Sequence, residues 1–188
     1  MLPLASIDQA GVVVYVGTLS KILAPGLRIG YVVAPAPLLE RLATLRYHID
    51  RQGDQAVELA VAELLEDGEV QRHARRVRRH YQMRRDTLVE LLSSQLGGVL
   101  SFAVPSGGMA LWARAAAGID ACAWAARALE RKVLVHPGRR FVFGDGPSPH
   151  LRLGFAALDE RRLAVAVGRL REALPPQVRR RSRAVPGP

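Results

Sequence analysis

The sequence predicts an α/β fold, in which strands and amphipathic helices alternate along the chain. Two observations support this prediction. β-branched and apolar residues form two short runs near the start, at 11–17 and 28–35, each bounded by glycine or proline. After them, apolar residues recur every three or four positions, the spacing of a helix with one buried face, before short apolar runs return. The 188 residues suit one domain or one and a half.

The two early runs, GVVVYVG and RIGYVVAP, are predicted to be strands. A short, continuous, β-branched run is typical of a strand that is buried on both faces of a parallel sheet. Between them, Pro25 and Gly26 mark a turn. A parallel sheet needs more than two strands, so we expect this chain to be part of a longer protein.

Three helices are predicted next, at 37–50, 55–68 and 69–96. Asp54 stands where it can cap the second helix. The third helix carries seven arginines, and Arg84 interrupts its apolar stripe. A run of charge on a helix usually forms a solvated face, which is the interpretation we prefer here.

The second half returns to short strands and amphipathic helices. Strands at 99–104 and 109–115 flank the turn PSGG, which predicts an antiparallel pair. Asp120 and Asp159 are placed to cap helices. The other predicted elements are a helix at 120–132, strands at 133–138 and 150–156, and a helix at 159–174. Trp112 and Trp124 are expected to lie in the core.

Charge and composition narrow the function classes. The net charge of +10 would suit a nucleic-acid module, but much of it comes from the tail RRRSR and from one helix with few interleaved aromatics. His73 and His80 have no carboxylate at metal-binding spacing, so no metal site is predicted. No apolar run is long enough to span a membrane, and the start has no signal-peptide pattern. Cys122 is the single cysteine, which suits a reducing cytoplasm, and we expect it to be packed and inert.

One lysine stands among groups that can bind a phosphate. Lys21 follows the hydroxyls of Thr18 and Ser20 in GTLSK, and Arg28 lies seven residues further on. Hydroxyls and a guanidinium are suitable donors for a phosphate, and a lysine amine beside it suggests a cofactor that also carries an aldehyde. Pyridoxal phosphate is such a cofactor. A nucleotide P-loop is excluded, because no glycine directly precedes the lysine.

The segment GTLSKILAPGLRIGY closely resembles the cofactor-lysine segment of class I and II aminotransferases, the fold-type I pyridoxal-phosphate enzymes. This resemblance implies that Lys21 forms a Schiff base with the cofactor. It also implies that Thr18, Ser20 and Arg28 hold the cofactor phosphate. Three later segments, PSGGM, VLVHPG and HLRLGFA, resemble motifs of the same family in the same order.

HLRLGFA resembles the family's segment that bears the arginine for the substrate carboxylate, which places that role on Arg152. Strand alternation agrees with it. Leu151, Leu153 and Phe155 would share one face, while Arg152 and Gly154 share the other. A planar guanidinium can hold a carboxylate through two parallel hydrogen bonds.

The resemblance also implies a domain organisation, namely the C-terminal part of a fold-type I transferase. It begins with the end of the large cofactor-binding domain, at 1–68, followed by a long interdomain helix at 69–96. A small α+β domain at 97–175 and a disordered basic tail at 176–188 complete it. We expect a truncated or partial chain that lacks the first half of the family's domain.

Two functions remain open. The first is a cytoplasmic aminotransferase that acts on an α-amino acid and a 2-oxo acid through Lys21, as a homodimer in its full-length form. The second is a pyridoxal-phosphate-binding effector domain of a MocR/GntR-type transcriptional regulator, because the arginine-rich helix and the opening segment are similar to that branch. Such a regulator would bind DNA through a domain that these residues do not contain.

Overall fold

A computed structural model describes residues 3–51, 53–144 and 146–175. The tail predicted to be disordered, at 176–188, lies outside the described residues. The chain divides into two compact units, Met1–Val77 and Arg78–Pro188. The boundary falls inside one long helix, and the predicted role of that helix as an interdomain element stays a prediction.

The first unit consists of a two-stranded sheet and helices. Its elements are β1 (Tyr15–Thr18), β2 (Gly30–Val33), α1 (Ala36–Ile49), α2 (Gln55–Glu66) and the first part of α3 (Glu69–Leu96). All three helices were predicted. The Asp54 side chain accepts a hydrogen bond from the Val57 backbone N–H, which confirms its role as a helix cap.

The predictions of a parallel sheet and of buried strands here are wrong. β1 and β2 pair with each other antiparallel, with Tyr15 opposite Val33 and Thr18 opposite Gly30. The connection of eleven residues contains only short turns, including a 3-10 turn at Pro25–Leu27, so it reverses the chain but cannot carry it across to a parallel neighbour. Both strands are also largely exposed: Val16 is 72% exposed, and no third strand joins them in the described residues.

The second unit contains a four-stranded antiparallel sheet in the order β3-β4-β6-β5. Its elements are β3 (Leu100–Phe102), β4 (Ala110–Ala115), α4 (Ala121–Glu130), β5 (His136–Pro137), β6 (His150–Gly154), α5 (Glu160–Glu172) and the second part of α3. The predicted pairing of the two strands around PSGG is confirmed as β3 with β4. Asp120 and Asp159 cap α4 and α5 as predicted.

A continuous hydrophobic core fills one side of this sheet. Leu111 and Ala113 of β4 and Leu151 and Leu153 of β6 are buried, together with apolar residues of α3, α4 and α5. Trp124 of α4 is fully buried, and its indole N–H donates to the Leu170 carbonyl at 2.9 Å. The prediction that Trp124 lies in the core is therefore confirmed.

Three other predictions for this unit need correction. The strand predicted at 133–138 is reduced to His136–Pro137, followed by a 3-10 turn at Gly138–Phe141. Trp112 is on the open side of the sheet and is 43% exposed. Cys122 is exposed, because the buried face of α4 is formed by Ala121, Trp124, Ala125 and Ala128. No helix in the described part of the chain is both long and apolar enough to cross a membrane.

Candidate functional site

A short turn between β1 and β2 carries the predicted lysine. The backbone N–H of Leu19 donates to the Ile29 carbonyl at 3.0 Å, which closes the base of the loop. The Leu19 carbonyl accepts from the backbone N–H groups of Ile22, at 3.1 Å, and Leu23, at 2.8 Å. Lys21 lies within this turn and is exposed. The lysine is therefore carried to solvent on a hydrogen-bonded backbone.

Two side chains hold this turn to the helices of the same unit. Leu19 is buried against Val61 of α2 and Val70 of α3. The Nε2 atom of His73 in α3 lies 2.9 Å from the carbonyl oxygen of Ile22. Because a carbonyl only accepts, the imidazole N–H is the donor. Spacing along the chain gave no sign of this role for His73, since its partner is 51 residues away.

The predicted phosphate ligands are only partly brought together. The Thr18 hydroxyl oxygen accepts from the Ser20 backbone N–H at 3.2 Å, so these two hydroxyl residues flank the same bend. Arg28 adopts a left-handed conformation, with φ of 53°, and lines a cavity of about 390 Å³ between β2 and the helices α1 and α2. Thr18, Ser20 and Lys21 do not line that cavity.

The cationic groups at this turn are available for a ligand. Within the described residues, the Lys21 amine and the Arg28 guanidinium make no hydrogen bond or ion pair. One strand-turn-strand segment carries two hydroxyls, a guanidinium and a primary amine. The hydroxyls and the guanidinium can donate hydrogen bonds to a phosphate, and the amine can react with an aldehyde to form a Schiff base. The residues present therefore fit a phosphate-bearing aldehyde such as pyridoxal phosphate.

Two glycines at the ends of the turn allow close approach of the backbone. A Cβ at Gly30 would lie 2.6 Å from the carbonyl oxygen of Gly17, so only glycine fits there without moving the neighbouring strand. A Cβ at Gly17 would meet the ring of Tyr31, which lies across it. The Tyr31 and Tyr15 rings are 5.9 Å apart between centroids. Hydrogen bonding with Tyr15, followed by partial burial, raises the pKa of the Tyr31 phenol.

Arg152 lies in the middle of the open face of the sheet in the second unit. On β6, Leu151 and Leu153 are buried whereas Arg152 is half-buried and faces the other way, as the alternating pattern predicted. Its direct neighbours across the sheet are Trp112 on β4 and His136 on β5. In the described part of the chain, the Arg152 guanidinium has no hydrogen-bond or ion-pair partner.

The surroundings of Arg152 are basic and aromatic. Arg140 donates from Nη1 to Nδ1 of His136 at 2.9 Å, which makes that ring nitrogen an acceptor and leaves the proton of the neutral ring on Nε2. The Trp112 ring stacks on His150, with centroids 5.1 Å apart and planes inclined by 15°. Strands β3 to β6 contain no aspartate or glutamate. This face is therefore suited to a negatively charged ligand.

Two arginines of α3 prove to be structural rather than solvated. Arg84 donates from Nη1 to the carbonyl oxygen of Ala156 at 2.6 Å, and Arg85 donates from Nη1 to that of Pro105 at 3.0 Å. The interpretation of the helix as a solvated arginine face is therefore wrong at these two positions. In the described residues, no group of three or more metal-ligating side chains is found.

A family model described as aminotransferase class I and II matches residues 3–170. The chain is 34% identical over 162 residues to 2-aminoadipate transaminase of Thermus thermophilus, covering 86% of this chain and 41% of that protein. It is 31% identical over 158 residues to the uncharacterized HTH-type transcriptional regulator YdfD of Bacillus subtilis, covering 84% of this chain and 33% of that protein. The chain thus spans between a third and about two fifths of these curated relatives.

A solved structure agrees with the sequence relatives. The α-aminoadipate aminotransferase LysN of Thermus thermophilus, complexed with N-(5'-phosphopyridoxyl)-L-leucine, superposes with a TM-score of 0.75 at 33% identity. The match covers 86% of this chain and 41% of that one. The fold is therefore part of a fold-type I transferase, as the sequence predicted. Enzymes and regulators both occur among the relatives, which agrees with the two branches that the motifs resemble.

Proposed function

Because the chain belongs to the class I and II aminotransferase family, we propose that it is part of a pyridoxal-phosphate enzyme that moves an amino group between an α-amino acid and a 2-oxo acid. One observation supports this proposal above the others. Lys21, whose amine has no partner in the described residues, lies on a hydrogen-bonded turn in the same segment as the hydroxyl residues Thr18 and Ser20. A surface lysine with no chemical role would not need this combination of donors.

We assign the cofactor phosphate to Thr18, Ser20 and Arg28. The two hydroxyls can each donate one hydrogen bond to a phosphate oxygen, and the guanidinium adds charge-assisted bonds that are about twice as strong as neutral ones. Arg28 holds its left-handed backbone at a cost of roughly 1–2 kcal/mol for a residue with a Cβ. Strain of this kind clusters at ligand sites, which agrees with a phosphate role.

We assign the proton-transfer role to Lys21 and the carboxylate-binding role to Arg152. When bound, pyridoxal phosphate supplies a ring that withdraws electrons from the substrate Cα. The Lys21 amine would then serve as the general base for the proton on the substrate Cα, and as a general acid once it is protonated. Arg152 would bind the substrate carboxylate through a bidentate pair of charge-assisted hydrogen bonds.

The test uses the fact that the chain contains two lysines, Lys21 and Lys132. The protein is loaded with pyridoxal phosphate, reduced with borohydride, digested and mapped by mass spectrometry. We expect the pyridoxyl group on the peptide with Lys21, and its loss in Lys21→Arg. Lys132→Arg is the matched control, which should keep the label. A label on Lys132, or on neither lysine, would contradict the proposal.

A second candidate function rests on the regulator among the relatives. We propose as the alternative that the same residues form an effector domain of a MocR/GntR-type regulator, which binds the cofactor and need not turn over substrate. Both functions predict the label on Lys21. They differ in turnover, so production of a 2-oxo acid from added amino acids separates them: the enzyme releases it repeatedly, and the effector domain does not.

The full-length form is proposed to be a homodimer that works in the cytoplasm. Dimerisation is typical of the family to which the chain belongs. The single cysteine, Cys122, is free and exposed, which suits a reducing compartment. DNA binding, under the regulator alternative, would need a separate DNA-binding domain.

A further inference from the structure

Four rings form a continuous wall beside Arg152. In order of contact they are His150, Trp112, Phe141 and His136. His150 stacks on Trp112; Trp112 meets Phe141 edge to face at 5.7 Å; and Phe141 meets His136 at 6.4 Å, again nearly at right angles. Because Trp112 and His136 are the direct cross-strand neighbours of Arg152, residues of the wall lie on both sides of Arg152 in the strand register.

This wall leaves apolar surface open to solvent next to an unpaired cation. Trp112 is 43% exposed and Phe141 is 50% exposed, although Trp124, the only other tryptophan, is fully buried. No hydrogen bond to the Trp112 indole N–H is found among the described residues. Large exposed aromatic rings beside a free guanidinium form a surface that matches a ligand with an anionic end and a flat apolar end.

Nδ1 of each histidine in the wall already has a partner within the protein. The Arg140 guanidinium donates one of its N–H groups to Nδ1 of His136. Nδ1 of His150 is likewise 3.2 Å from the Ser148 hydroxyl. Arg140 keeps its positive charge, whereas the two side chains directly opposite Arg152, Trp112 and His136, offer a ligand mainly ring surface.

We propose that the ring wall selects carboxylate ligands whose side chain is planar and apolar, such as an aryl group, with Trp112 and Phe141 as the specificity-determining residues. This inference rests on the proposed role of Arg152 as the carboxylate ligand. The carboxylate binds the guanidinium, and the aryl group packs against the indole and phenyl rings. Aromatic pairs prefer offset or edge-to-face arrangements, which the exposed parts of these rings permit.

The test compares three probes on the whole chain, each titrated by calorimetry: 3-phenylpropionate, butyrate and glutarate. We expect 3-phenylpropionate to bind at least about tenfold more tightly than butyrate, because it alone buries an aryl ring. Trp112 is the exposed one of the two tryptophans, so 3-phenylpropionate should also change the tryptophan fluorescence. Glutarate should bind no more tightly than butyrate.

Variants separate the inference from the proposed function beneath it. Trp112→Leu should weaken 3-phenylpropionate binding far more than butyrate binding and so remove the tenfold preference, whereas Trp112→Phe should keep most of it. Arg152→Gln should weaken all three probes. Leu129→Ala, at an exposed apolar position on α4, is the matched control and should change nothing. The buried Trp124 reports whether each variant is folded.

Results that differ from these expectations would refute the role of the ring wall, or the role of both the wall and Arg152. Equal binding of the three probes, all dependent on Arg152, would refute the ring wall and leave the carboxylate role of Arg152 intact. Tightest binding of glutarate would mean that the site prefers a second carboxylate, and would also refute the wall. Binding that survives Arg152→Gln, or no binding of any probe, would refute both.

Discussion

The two units of the chain differ in how much of their apolar surface they bury. In the second unit, twenty-three of the described residues form one continuous buried cluster between the sheet and its helices. Among the described residues of the first unit, only Leu19, Val61 and Val70 form a buried cluster, and the valines of both strands remain exposed. Burial of apolar area is the dominant favourable term in folding, so we expect the second unit to be much the more stable of the two.

The two candidate site residues, Arg152 and Lys21, therefore lie on structural elements of different stability. Arg152 is on the central strand pair of a sheet whose other face is packed. Lys21 is on a turn between two short strands, and a two-stranded sheet is marginally stable by itself in water. The candidate substrate arginine is therefore preorganised, whereas the lysine turn depends on a few anchors such as Leu19 and His73.

The largest expected effect is on amide hydrogen exchange. Backbone N–H groups that pair β4 with β6 should exchange at least about a thousandfold more slowly than those that pair β1 with β2, because their opening approaches global unfolding. Exchange of the whole chain, followed residue by residue by NMR, measures the ratio. Similar protection in both sheets would show that the two units are equally stable and would remove the contrast.

The next effect compares the two tryptophans of the second unit. Trp124→Ala removes a fully buried ring and its hydrogen bond to Leu170, and should cost about 3–5 kcal/mol of unfolding free energy. Trp112→Ala removes a ring on the open face and should cost less than about 1 kcal/mol. Urea unfolding of both variants, followed by circular dichroism, gives the two values. Equal losses would mean that the ring wall belongs to the core and is not a free surface.

The smallest effect is a loss of stability in acid within the first unit. Hydrogen bonding and charge attraction from Arg46 lower the pKa of Glu58, so the folded state binds a proton on Glu58 less readily than the unfolded state does. The stabilisation is therefore present above the usual glutamate pKa of about 4.3 and is lost as pH falls through the lower, folded value. Both groups are exposed, so the loss is small and weakens in salt.

Glu58→Gln checks this pH dependence. Its urea midpoint should vary less with pH below about pH 5 than that of the unaltered chain. Glu130→Gln, at an exposed position in the second unit with no ion pair in the described residues, is the control and should follow the unaltered chain. If the two variants behave alike, the Arg46–Glu58 pair contributes nothing to the acid response.

Local signals in the sequence were enough to predict the helices and the residues at which several of them begin. Asp54, Asp120 and Asp159 each accept a backbone hydrogen bond at the start of a helix, as their positions indicated. These signals succeed because a cap and the apolar stripe behind it lie within a few residues of each other. The face on which Arg152 lies was predictable for the same reason, since alternation is a local property.

Burial and long-range contacts were not predictable in the same way. A β-branched run shows that a strand could be buried, but it does not show what covers it, and the exposed Val16 illustrates the difference. Trp112 has the large, mainly apolar side chain that is common in protein cores, and only the register of β4 places it on the open face. The bonds of His73 and Arg84 span 51 and 72 residues, so no spacing along the chain reports them.

The proline in the short edge strand β5 bears on how the protein behaves in concentrated solution. Pro137 has no N–H, and β5 is only two residues long. This edge therefore offers few backbone hydrogen-bonding groups to a strand of another molecule. In the described residues, the hairpin of β1 and β2 has no proline within its strands, and its exposed valines suit intermolecular β-pairing. Turbidity on storage should therefore start from the hairpin, and charged substitutions at Val16 should delay it.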